Sequence, residues 1–174
     1  MGTARDLGLL MLRVGVGASC FSHGAQKLFG WFGGGGVEET AEAMSSMGFE
    51  PGERNARVAG VLETAGGAML ALGLATGPVG AALTGNMITA SSVHAPNGFF
   101  NTNGGYELPV TYALVGTTFA LTGPGRFSLD HLTGEALNRP WMRAMALVGA
   151  LASAAYLISS RGAVVAERED DDED

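Results

Sequence analysis

Residues Leu7 to Phe29, LGLLMLRVGVGASCFSHGAQKLF, make a stretch long enough, at about 1.5 Å per helical residue, to cross a hydrocarbon core of roughly 30 Å. It is polar in the wrong places for a simple anchor. Arg13, Ser19, Ser22, His23, Gln26 and Lys27 all lie inside it, and ionisable groups within a membrane are costly enough to suggest a function by default. At 100° per residue, Arg13, Cys20, His23 and Lys27 fall within an arc of about 80°, with Ser19 and Gln26 beside it. One face of this helix is therefore polar, and the opposite face is left for lipid.

The remaining composition agrees with a membrane protein. Charged residues are 16% of the 174, against roughly 25% in soluble domains, while hydrophobic residues reach 47%. The net charge of −7 describes a tail and not a surface, since seven of the 17 acidic residues occupy the last eight positions, Glu167 to Asp174. Such a run is expected to be solvated and disordered. No basic patch suits nucleic acid. Cys20 is the sole cysteine, which excludes an internal disulfide and a zinc site built on cysteine pairs. Gly17-Ala18-Ser19-Cys20 loosely resembles a lipoprotein cleavage box, but Arg13 interrupts what should be an uncharged signal core, so the first helix is read as mature protein.

Downstream, Trp31 and Phe32 suit the aromatic belt at a water boundary, and the run Gly33 to Gly36 is a flexible turn. Val37 to Phe49 carries Val37, Ala41 and Met44 at helical spacing opposite Glu38, Glu39 and Glu42, a short amphipathic helix at the interface. A second span, about Ala56 to Thr76, holds Glu63 among glycines and alanines that let helices approach closely. Thr76-Gly77-Pro78 turns the chain into a third span, about Pro78 to Ala95, with Asn86, Thr89 and, at its end, His94. A fourth runs about Glu107 to Thr122, Pro109 sitting in its first turn. Phe127 to Leu132 reads as a short interfacial helix capped by Ser128, and Trp141 to Ser160 as a fifth span. Positive charge is nearly balanced between the two sides, so orientation does not follow from it.

Antiparallel threading fixes depth. Glu63 falls level with His23, and Arg13 lies about ten residues, roughly 15 Å, away from that level, too far for a direct pair with Glu63. Arg13 is expected to snorkel to its own interface, or to pair with a carbonyl or lipid phosphate there. His23, Gln26, Lys27, Glu63, His94, Asn97, Tyr106 and Glu107 gather at one end of the bundle. Three chemistries compete for that cluster. It could only tie helices together; it could bind a quinone, whose carbonyls need hydrogen-bond donors, whose tail needs an apolar cleft and whose reduction needs a proton carrier; or Glu63 could titrate in a small-solute or proton carrier. A metal held by the two histidines and two glutamates is disfavoured, because no ligand pair has a diagnostic short spacing. Cys20 reads as inert packing, and Asn86 as a bond to a neighbouring helix.

Several motifs in order then resemble the DoxX family: Leu12-Arg13-Val14-Gly15, His23-Gly24, Gln26-Lys27-Leu28-Phe29-Gly30, Glu63 with Gly66-Gly67, His94, Asn97-Gly98-Phe99-Phe100, Gly105-Tyr106-Glu107-Leu108-Pro109 and Leu121-Thr122-Gly123-Pro124-Gly125-Arg126. The resemblance covers about Leu7 to Leu132. It implies a four-helix bundle in a bacterial inner membrane and relatives that are subunits of thiosulfate:quinone oxidoreductase. It also implies, in actinobacteria, a link with a superoxide dismutase and a sulfurtransferase in a membrane oxidoreductase complex. It carries over no catalytic residues. The expectation is an all-α, polytopic transmembrane bundle with four core spans in residues 1–135, a fifth span in 136–162 and a disordered acidic tail in 163–174. The cofactor is left unknown, with a quinone as the candidate and His23, Gln26, Lys27, Glu63, His94, Tyr106 and Glu107 as the candidate binding residues, and a homo-oligomer stays open.

Overall fold

The computed structural model describes residues 2–173, and every regular element among them is helical. The seven α-helices are α1 (Thr3–Phe29), α2 (Gly36–Ser46), α3 (Gly52–Leu72), α4 (Thr76–His94), α5 (Glu107–Thr122), α6 (Leu129–Leu132) and α7 (Pro140–Glu173). Their ends follow local chemistry. Gly30 and Gly73 close α1 and α3 in the left-handed conformation that glycine adopts without penalty. Ser128 caps α6, its hydroxyl accepting from the His131 amide at 3.1 Å.

α1 lies chiefly on α3, α4 packs on α5 and α7, and α3 joins the two groups through α4 while α2 folds against α3. Small residues make these crossings. A Cβ on Gly17 would stand 2.6 Å from the Gly67 carbonyl oxygen, and one on Gly67 would meet the Gly17 oxygen at the same distance. Gly80 and Gly116 are paired identically between α4 and α5, and Gly85 lies against the Ala150 carbonyl of α7. Backbone-to-backbone contact of this kind is how helices associate where no hydrophobic force drives them together. Cys20, Leu70, Leu83, Met87, Ala113 and Phe119 pack together as a small buried cluster.

Large apolar side chains meanwhile face outward on α1, α3, α5 and α7, among them Met11, Val61, Leu114, Leu121, Val148 and Leu151. Among the described residues, two helices, Thr3–Phe29 and Pro140–Asp171, are long and apolar enough to cross a membrane. Only 6% of the most apolar window of the second is buried, an exposure that water would not tolerate and lipid would.

One expectation is corrected. The acidic segment 163–174 is not disordered where it is described, because α7 continues through it to Glu173. Two arginines of α7 hold it, one just before the segment and one within it: Arg161 Nε donates to the Met47 carbonyl at 2.8 Å, and Arg168 reaches the Ser45 carbonyl at 2.8 Å and Glu50 at 2.7 Å. Asp174 lies outside the described residues.

Candidate functional site

Glu63 is the centre of the polar layer nearer the α1–α2 turn. Its two oxygens are shared between two other helices: Lys27 Nζ of α1 donates to Oε2 at 2.5 Å, and Asn86 Nδ2 of α4 donates to Oε1 at 3.2 Å. The carboxylate is 7% exposed. Its charge is thus matched by one cation and its other oxygen by an amide, the condition under which a buried carboxylate persists.

Beside this tie a cavity of about 490 Å³ opens between α3, α4 and α7. Lys27, Glu63, Asn86 and His94 give it polar points, while Leu62, Val93 and Leu157 are among its apolar walls. His94 has a defined tautomer. Its Nδ1 lies 2.7 Å from the Gly104 carbonyl, which can only accept, so Nδ1 carries the proton and Nε2 is an acceptor whenever the ring is neutral. Lys27, with one donor engaged by Glu63, keeps others for a ligand.

The predicted cluster therefore divides. Lys27, Glu63 and His94 line one cavity. His23 and Gln26 bond to each other at 3.2 Å outside it, and Gln26 also reaches the Phe32 carbonyl at 3.4 Å. The cause is the rotation of α1: Gly24 is pressed against Thr64 and the Gly60 carbonyl, which carries His23 100° to one side. Tyr106 and Glu107 serve the loop after α4. The Tyr106 ring packs on Phe99 with centroids 5.5 Å apart, and Glu107 accepts from the Asn101 amide at 3.0 Å. Asn97 donates to the Gly104 carbonyl at 3.2 Å in the same loop. Among the described residues, no three His, Cys, Asp or Glu side chains group as a metal site would require.

Sequence reasoning missed the α7 wall, although Ala146, Ala150 and Ala154 recur at four-residue spacing, a stripe that marks close helix approach. Of the two expectations for Arg13, pairing with a carbonyl holds and snorkelling does not. Arg13 is fully buried, and its Nη2 donates to the Phe127 carbonyl because the segment after α5 folds back over this end of α1. Asp130 in that segment accepts from the Ala75 and Thr76 amides at 2.7 and 2.8 Å and so caps α4 from a distance in sequence. Asn138 accepts from the Gly77 amide at 2.9 Å in the same way.

Outward apolar faces, small-residue crossings and buried polar ties define an all-α membrane protein with a ligand-sized cavity at its polar layer. The DoxX family model matches residues 8–95, half of the chain, and the chain belongs to that family. Comparisons with curated proteins and with solved structures found no match. The matched stretch carries Lys27, Glu63, Asn86 and His94, whereas the α7 wall lies beyond it.

Proposed function

We propose that this DoxX protein is a multi-pass subunit of a redox or thiol-stress assembly in a bacterial inner membrane, docking a quinone headgroup at Lys27 and His94 beside Glu63. The observation that carries the reading is one cavity offering a free ammonium donor and an imidazole acceptor among apolar walls. A quinone carbonyl accepts from the first, and a quinol hydroxyl donates to the second. Glu63 holds Lys27 in place, and Nε2 of His94 is the acceptor for the hydroxyl proton of a quinol. By the family resemblance, a superoxide dismutase and a sulfurtransferase are the partners to look for.

The rival reading is a non-catalytic scaffold. It is favoured by the completeness of the Glu63 tie, whose two oxygens are already satisfied without any ligand. Organic extraction of the purified protein, with quinone counted per chain, separates the two. Docking predicts co-purified quinone, reduced about tenfold or more by Lys27→Met, the cost of losing a charged hydrogen bond. A quinone content no higher than that of an unrelated membrane protein prepared alike, with partner capture intact in Lys27→Met, would leave the scaffold reading standing.

A further inference from the structure

We infer that the cavity takes a ligand with a long apolar chain, and that α7 selects for it: a prenyl tail of the docked quinone lies in the slot that α7 walls along α4. This deepens the proposed function and rests on it. The floor of the cavity is α4, from Pro78 to His94, a run of about 24 Å at 1.5 Å per residue. That is longer than the hydrocarbon depth of one leaflet, about 15 Å, and far longer than one ring needs. α3 forms one bank at the headgroup end with Val58 and Leu62, and α7 runs along the full length with Ala146, Ser153 and Leu157.

The polar points are confined to one part of the slot. Asn86 lies midway along the floor and His94 at its end, and no polar side chain lines the floor between Pro78 and Asn86. There the lining residues of α4 and α7 are Pro78, Ala82, Gly85, Ala146 and Ala150. A headgroup at Lys27 and His94 therefore leaves an apolar slot of about 12 Å along the floor. Gly85 meets the Ala150 carbonyl beneath it, so the slot is a shallow groove over the α4–α7 crossing, a shape for a chain and not for a second ring. In a bilayer a tail is already out of water, so the slot holds it by close contact instead of by the hydrophobic effect. Such contact is sensitive to filling. Ala146 is half-buried on the slot, whereas Ala144, two residues away, is exposed and does not line it.

The test uses the full chain in phosphatidylcholine nanodiscs, titrated with a tail-less naphthoquinone and with the same ring carrying four prenyl units. Ala146→Phe should weaken the prenylated ring about tenfold, the scale of an overpacked site, and leave the tail-less ring within about twofold, which also shows that the variant is folded. Ala144→Phe should change neither. A tail-less ring bound through Lys27, with Ala146→Phe leaving the prenylated ring unaffected, would overturn this inference and spare the quinone reading. Failure of both rings to bind wild type would overturn both. Phospholipid chains bound in the slot in place of quinone, and lost in Ala146→Phe, would overturn the assignment of the slot to a quinone tail.

Discussion

Glu63 joins three helices through two oxygens, and that makes its removal asymmetric. Replacing it with Leu leaves Lys27 without its anion and Asn86 without its acceptor. Removing one partner of a buried pair costs about 3–5 kcal/mol, and Lys27, with a quarter of its side chain exposed, relaxes toward water and lowers that to about 2 kcal/mol. The double variant Lys27→Met, Glu63→Leu should regain most of the loss, because two apolar groups need no pairing. Thermal unfolding in one detergent reads both, and a double variant less stable than Glu63→Leu alone would contradict the pairing. Asp130 poses the same question at the other polar layer. Asp130→Ala orphans the Ala75 and Thr76 amides at the start of α4 and should cost about 2–3 kcal/mol, while Asp130→Asn, which keeps one acceptor oxygen, should cost less.

At the scale of the helix, crossings depend on what is absent. Gly17→Val should separate α1 from α3, since its first carbon would already stand 2.6 Å from the Gly67 oxygen; a fall in melting temperature worth about 1–3 kcal/mol measures it. Gly15 faces open space on the same helix, so Gly15→Ala should be neutral or slightly stabilising. The sequence made such helices legible because dense apolar windows, glycine stops and the Ser128 cap are local signals. Depth was legible too: the rise per residue brought Lys27, Glu63 and His94 to one cavity. Rotation was not. Nothing in hydropathy distinguishes His23 from Lys27 on the same arc, and only the seat of Gly24 against Thr64 decides between them. Loop bracing by Glu107 and the folding of Phe127 over Arg13 depend on contacts more than a hundred residues or a whole loop apart, beyond any local pattern.

Across the whole molecule the unresolved quantity in the sequence is the number of crossings, and α7 decides it. Its 34 residues would extend about 51 Å, so a helix crossing roughly 30 Å of hydrocarbon must project well past it. The projecting end is the one that carries the acidic run and the contacts of Arg161 and Arg168 to the α2–α3 turn. That arrangement suits water, where an exposed Arg168–Glu50 pair adds little stability. If α7 crosses, the chain crosses five times and its two ends lie on opposite sides. If α7 instead lies along the interface, both ends share a side, and its outward face of Met145, Val148 and Leu151 would be only half immersed. A Cys20→Ala background carrying either Thr3→Cys or Ala166→Cys separates these, with a membrane-impermeant maleimide applied to intact cells. Five crossings require that one of the two variants be labelled at once and the other only after permeabilisation. Identical labelling of both would remove α7 from the bilayer, and with it the lateral wall on which a tail-binding slot depends.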